Sequence, residues 1–236
     1  MKESKNLKLE KNCVHPFYQI LMDFPGTKSK ILLIFQIQNL NTLHVLYIAK
    51  LPSPVSFDDL YDHLVEFKMM HPQMPSLFVC TPEKVLLETS LAVFRDCQIQ
   101  ICLDSFLNWI KKTSNNDDSQ ELERDITKVL YQKDLNRFVQ TYTFMREKWK
   151  NDRPCLMDEM DEYLCFIIPM YQYQIEIRPI ISTIEYAQSQ LFFIHNYLKE
   201  KMDVSSSEKM ETNPYQINSY LQSLPLELKV NLEVSS

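Results

Sequence analysis

The stretch Pro75-Ser-Leu-Phe-Val-Cys-Thr-Pro82 and the residues that follow it decide the fold. Leu77-Phe-Val-Cys80 is an apolar run of strand length between two prolines, and Gln98-Ile-Gln-Ile-Cys102 alternates as a second strand does. Residues 82–94, between the two strands, carry apolar side chains at helical spacing, and residues 104–112 do so after the second strand. The pattern therefore predicts two parallel strands joined by a right-handed helical crossover.

The ends of these elements predict where caps and ligands would lie. Thr81 can accept a hydrogen bond as an N-cap, and Pro82 fits the first helical position, where no amide donor is needed. Asp104 is expected to cap the next helix in the same way. Ligands of parallel sheets collect at the carboxyl ends of strands, so a site is expected at residues 80–81 and 102–104.

Three further strands are predicted before this unit. They are Phe17–Met22, Lys30–Ile37 and Leu43–Ala49, and the short loops between them favour an antiparallel meander. Pro25-Gly26, with the only glycine of the chain, is in the order that a type II turn requires.

A helix is predicted between the meander and the parallel unit. Ser56 and Asp59 form a capping-box pattern ahead of apolar positions in residues 57–67. The resulting element order is βββαβαβα, which predicts an α/β fold with a mixed sheet of the ribonuclease-H-like type over residues 15–112.

The remaining segments are predicted to be an arm, a linker, a helical part and a tail. Pro179 is expected to open the last long helix of the helical part. The predicted boundaries are 1–14 for a flexible N-terminal arm, 113–119 for a polar linker, 120–203 for an all-helical extension packing on the core, and 204–236 for a tail with one short helix.

Composition excludes several classes of function. One glycine in 236 residues, against about 7% in average usage, removes glycine-rich phosphate loops. A net charge of −6 weighs against nucleic-acid binding by the whole chain. Six cysteines without a C-x-x-C pair indicate free thiols in a reducing compartment, and the chain has neither a signal peptide nor an apolar run long enough for a membrane. We therefore expect an intracellular protein that does not bind membranes.

The order of several short motifs resembles a known family over residues 17–200. The chain is similar to the catalytic-type domain of Mutator-like transposases, and more closely to their domesticated vertebrate relatives among the SWIM-type zinc-finger proteins. The SWIM zinc motif itself is absent. The motifs are Leu46-Tyr-Ile-Ala49, the helix Phe57–Phe67 with His71-Pro72, Leu77-Phe-Val-Cys-Thr-Pro82, Phe94, Cys102-Leu-Asp-Ser105 and Ser182-Thr-Ile-Glu185.

The resemblance implies positions for three carboxylates that would hold two metal ions. The first falls on Asp23, the second on Thr81, and the late helical one on Glu185. The Cys-x-x-His of the family falls on Cys102 and Ser105, so its histidine is missing. A site without its central carboxylate binds Mg²⁺ poorly, because ligand charge offsets dehydration of the ion. The implied prediction is a chain with no catalytic residue, metal or cofactor.

The same acids have ordinary structural interpretations. Asp23 is a typical turn residue beside Pro25-Gly26, and Glu185 is typical of a solvated or capping acid early in a helix. Asp104 or Glu83 could substitute for the missing carboxylate, but neither falls where the resemblance requires a ligand.

Three functions remain open from the sequence. The first is an inactive, transposase-derived protein-interaction module with an unknown protein partner, in the nucleus rather than the cytoplasm. The second is a nucleic-acid-binding transcription or chromatin factor, which charge does not favour. The third is a residual metal-dependent nuclease. An exposed apolar patch would support the first, and the second would require a stripe of cations formed by Lys28, Lys30, Lys111, Lys112, Lys128, Lys133 and Arg137.

Overall fold

A five-stranded mixed sheet forms the centre of the protein. The computed structural model describes residues 16–24, 26–39, 42–113, 119–184, 187–204 and 213–224. The arm predicted at residues 1–14 and the position of Glu185 lie outside these residues. The strands are β1 (Phe17–Asp23), β2 (Lys30–Asn39), β3 (Thr42–Leu51), β4 (Leu77–Cys80) and β5 (Gln98–Ile101).

The sheet has the order β3-β2-β1-β4-β5. β1 pairs antiparallel with β2 and parallel with β4; β2 and β3 are antiparallel, and β4 and β5 are parallel. The predicted antiparallel meander, the predicted parallel pair and the α/β class are therefore confirmed. Gly26 has a φ of +71° between β1 and β2, the conformation for which glycine is suited.

The core lies on both faces of the sheet. In β2 every side chain from Ile31 to Phe35 is buried, so successive residues that point to opposite faces are both covered. Helices supply that cover. They are α1 (Phe57–Met70), α2 (Lys84–Val93), α3 (Leu103–Thr113), α4 (Ser119–Leu130), α5 (Leu135–Trp149), α6 (Pro154–Ile167), the 3₁₀ helix Ile168–Gln172, α7 (Arg178–Ser182), α8 (Gln188–Val204) and α9 (Pro214–Ser223).

Two helix starts differ from the sequence prediction. The capping box of Ser56 and Asp59 is present at α1 as expected. In contrast, Thr81 does not cap α2, which begins at Lys84 after an N-cap residue, Glu83, that makes no capping bond with its side chain. The Thr81 hydroxyl instead accepts a hydrogen bond from a β1 amide. Asp104 lies inside the first turn of α3 rather than before it.

The last long helix also begins later than predicted. Pro179 opens only the five-residue helix α7, which ends at Ser182. Thr183 is extended, with φ −141° and ψ 152°, and its side chain donates a hydrogen bond to Asp104. This bond holds Thr183 at the end of the sheet, and α8 begins at Gln188.

The helical part packs on the sheet and covers both of its edges. At the β3 edge, Gln190 Oε1 accepts the Leu43 N–H at 2.7 Å. At the β5 edge, Gln100 Oε1 accepts the Met170 N–H at 2.9 Å. These hydrogen bonds attach the helical part to the two edge strands, which an open sheet would leave to solvent or to another strand. Among the described residues, no helix has the length and apolarity to cross a membrane.

Candidate functional site

The carboxyl ends of β1, β4 and β5 meet at one edge of the sheet, and the sequence predicted this for β4 and β5. The Thr81 N–H donates to the Gln19 carbonyl at 3.1 Å, which ties the end of β4 to β1. The Cys102 N–H donates to the Cys80 carbonyl at 2.7 Å, which ties the end of β5 to β4. Asp23, Thr81 and the residues after β5 therefore belong to one edge, which we call the carboxyl edge.

Asp23 is an ion-pair partner at this edge. Its carboxylate lies 2.7 Å from Lys30 Nζ, and its side chain is 83% exposed. The two residues are directly paired across β1 and β2. The hydrogen bond and charge of Lys30 lower the pKa of Asp23, and the charges of Lys112 and His195 lower it further. Asp23 is thus ionised and already partnered by a cation.

Thr81 occupies the central position with a neutral group. It is buried, and its Oγ1 accepts the Leu21 N–H at 3.4 Å. Leu21 precedes Asp23 by two residues on β1. The Thr81 hydroxyl therefore contacts the strand that carries the first acid, Asp23. The position that the resemblance assigns to a central carboxylate is therefore used for a contact between β4 and β1.

Glu83, which the sequence analysis named only as a substitute for the missing ligand, is a further carboxylate at this edge. Its Oε2 is buried and has no hydrogen-bond partner among the described residues. Burial raises the pKa of Glu83; the Thr81 hydroxyl and the Lys30 charge oppose the rise, while the Asp23 charge adds to it. Glu83 is therefore close enough to Asp23 for the two charges to interact. Its position three residues after Cys80, the predicted end of β4, is the signal that the sequence carries.

Cys102 and Ser105 contact each other one helical turn apart. The Ser105 hydroxyl donates to Cys102 Sγ at 3.2 Å. Burial raises the pKa of the Cys102 thiol, and hydrogen bonds from Ser105 and from the backbone of Ile184 oppose that rise. The two side chains therefore bind each other at the start of α3, and the thiol is not arranged as a metal ligand. All described cysteines are free thiols.

A cleft of about 240 Å³ opens beside the end of β5. Asp104 lines it and accepts hydrogen bonds from the Tyr131 hydroxyl at 3.2 Å and from the Thr183 hydroxyl. Arg178 also lines it and donates to the carbonyls of Gln132 and Lys133 at 3.4 and 2.7 Å. Both charged groups of the cleft are therefore engaged by the protein itself.

Glu185, the third position that the resemblance implies, lies outside the described residues. Ile184, the last described residue before it, is buried and hydrogen-bonds Cys102 through its backbone. Within the described ranges, no group of three or more His, Cys, Asp or Glu side chains lies close enough together to hold a metal ion.

Acids interrupt the cation stripe considered from the sequence. Lys30 pairs with Asp23, and Lys111 pairs with Glu123 at 2.7 Å. Arg137 lies 3.7 Å from Asp134 in the same helical turn. These pairings reduce the positive field that would attract a phosphate backbone.

Comparison of the chain with protein-family models and with curated proteins finds no match. The site is therefore interpreted from the residues of this chain.

Proposed function

We propose that the chain is an inactive, transposase-derived domain of the ribonuclease-H-like type that works as a protein-interaction module. The strand order β3-β2-β1-β4-β5, with three antiparallel strands followed by two parallel ones, supports the fold assignment. Descent from a transposase supports residence in the nucleus. The protein partner is treated in the next subsection.

The observation that carries the proposal is the state of Thr81. A two-metal nuclease needs a central carboxylate between its first-strand acid and its late acid. Here a buried hydroxyl stands at that position and accepts the Leu21 N–H. The first-strand acid, Asp23, has a lysine as its partner. Hard cations require charged oxygen ligands. Of the two family positions that the described residues include, one is an exposed carboxylate paired with a lysine and the other is a neutral hydroxyl.

A nuclease assay tests the proposal directly. The purified full chain is incubated with single-stranded and double-stranded DNA in Mg²⁺ and then in Mn²⁺, beside an Asp23→Ala variant. We expect equal, background cleavage from both proteins. Cleavage by the parent chain that disappears in Asp23→Ala would overturn the proposal, because contaminating nucleases do not respond to that change.

A residual metal-dependent nuclease is the second candidate, and Glu83 favours it. Its partly buried carboxylate lies near Asp23 and has an oxygen without a hydrogen-bond partner among the described residues. A metal ion bound there would need Glu83 ionised, which burial opposes. Cleavage that depends on both Asp23 and Glu83 would identify this candidate.

Nucleic-acid binding without cleavage is the remaining alternative. The net charge of −6 and the pairing of Lys30 and Lys111 with acids disfavour it. Binding to DNA whose affinity falls steeply with salt, and that weakens when Lys112 and Lys128 are replaced by Ala, would support it over the interaction module.

A further inference from the structure

Helix α1 presents a row of apolar side chains outside the core. Phe57 and Tyr61 are each 41% exposed, and Met69 is 80% exposed. Val65, which lies between Tyr61 and Met69, is partly buried. The four residues follow one another at intervals of four, so their side chains form a continuous ridge along one side of the helix. We call Phe57, Tyr61, Val65 and Met69 the α1 ridge.

The ridge is held in a fixed orientation. The opposite side of α1 buries Leu60, Leu64 and Phe67 completely against the sheet and α2. The rings of Phe57 and Tyr61 stack at a centroid distance of 5.8 Å. A partner that covers the ridge would therefore pay little conformational entropy on the α1 side.

A second row, of acids, runs beside the ridge. Asp58, Asp62 and Glu66 also follow at intervals of four, one position after the ridge residues, and all three are exposed. Within the described residues, neither Asp58 nor Asp62 has an ion-pair partner. Glu66 accepts a hydrogen bond from the Tyr47 hydroxyl at 2.5 Å.

Among the basic side chains of α1, His63 lies near one of these acids, with its Nδ1 3.6 Å from Glu66 Oε2. Lys68, the only lysine of the helix, donates to the Val93 carbonyl of α2 at 2.7 Å and so faces away from the acidic row. His63 Nδ1 lies 2.8 Å from the Tyr47 hydroxyl, on the β3 side of the helix. The surface thus combines an apolar ridge with a negative border.

We infer that the α1 ridge and its acidic border are the docking surface for a basic amphipathic helix of a protein partner. This inference rests on the proposed interaction function and specifies its surface. The partner would offer apolar side chains at helical spacing to the ridge and Lys or Arg to Asp58 and Asp62. A second copy of this chain fits poorly, since it would bring two acidic rows together, and a nucleic acid would be repelled.

Charge complementarity of this kind steers association and selects the partner, while the aromatic residues of the ridge carry the affinity. Tyr61 lies in the first half of the ridge, next to both Phe57 and Asp58 on the helix surface. It is therefore the residue whose removal should weaken binding most.

The test uses a labelled helical peptide of Leu and Lys, about 18 residues long, with its leucines on one face. A peptide of the same composition in scrambled order is its control. Affinity for the full chain is measured by fluorescence anisotropy at physiological salt. We expect the amphipathic peptide to bind the parent chain more tightly than the scrambled peptide does. Its affinity should fall by about tenfold in Tyr61→Ala and by about tenfold in the separate variant Asp62→Lys, because a central aromatic or a complementary charge typically contributes that much.

Matched variants separate the α1 surface from general effects. Phe144→Ala removes an aromatic side chain that is 75% exposed on α5, and Glu159→Lys makes the same charge change as Asp62→Lys on α6. Both should bind the peptide as the parent does. Circular dichroism and the thermal midpoint of each variant verify folding.

Equal losses in the α1 and control variants, or equal binding of the scrambled peptide, would overturn the docking surface. That failure is distinguishable from failure of the inactive-scaffold proposal. Metal-dependent cleavage that requires Asp23 would overturn the scaffold proposal whatever the peptide does, and the α1 variants leave Asp23 unchanged.

Discussion

The side chain of Asn218 binds the backbone of Val45 with both of its polar atoms. Oδ1 accepts the Val45 N–H and Nδ2 donates to the Val45 carbonyl, each at 2.9 Å. Both partners are buried. The amide of Asn218 thus continues the hydrogen bonding of the sheet beyond β3, where a sixth strand would otherwise pair, and fixes α9 to that edge.

Replacing Asn218 by Leu should lower the free energy of unfolding by about 2 kcal/mol, because two buried backbone groups lose their partners. Hydrogen exchange should increase at the Val45 amide more than at amides of β2. Gln216→Leu, at an exposed position of the same helix, serves as the control. Unchanged protection of Val45 would contradict the role given to Asn218.

Gln19 is a buried amide that is only half satisfied. Its Oε1 accepts the Ser90 hydroxyl at 2.6 Å, and its Nε2 has no partner among the described residues. Ser90→Ala should lower the free energy of unfolding by about 1 kcal/mol, whereas Gln19→Met with Ser90→Ala should restore or exceed the parent value. Urea denaturation measures both. A double variant less stable than Ser90→Ala would show that Nε2 is satisfied.

Glu83 should make stability depend on pH. Burial raises its pKa above the ordinary value of 4.5, so the folded chain binds more protons than the unfolded chain between 4.5 and the folded pKa. Stability contributed by this group is therefore lost as pH rises through that window. At pH 7, Glu83→Gln should be more stable than the parent, since the amide carries no buried charge.

The difference between Glu83→Gln and the parent should shrink as pH falls from the folded pKa to 4.5, and it should not change further below 4.5. Glu88→Gln, at an exposed position of the same helix α2, is the matched control and should leave the pH profile unchanged. A Glu83→Gln variant that is less stable than the parent at pH 7 would mean that Glu83 is ionised and paired.

The strands and their order along the chain could be predicted from the sequence because their signals are local. Prolines and polar turns bound each apolar run, and the lengths of the connections decide which pairs are parallel. The core of β2, Ile31–Phe35, is likewise visible as an uninterrupted apolar run.

The helix starts and the state of the site depend on distant contacts, which the sequence does not display. Threonine is a common N-cap residue, but the hydroxyl of Thr81 accepts a hydrogen bond from β1 and does not cap α2. Pro179 fits the start of a helix, but the bond of Thr183 to Asp104 ends that helix at Ser182. Glu83 has no motif around it, and its burial follows only from the way α2 meets the carboxyl edge.

We propose that the carboxyl edge does not work as a metal site. The most direct test of this proposal is a thermal denaturation of the purified full chain in increasing Mg²⁺ or Mn²⁺, beside Asp23→Ala. The account predicts no rise in the midpoint at millimolar metal, and the same response from both proteins. A rise that occurs in the parent and vanishes in Asp23→Ala would contradict it, because ligand binding to the folded state must raise the midpoint.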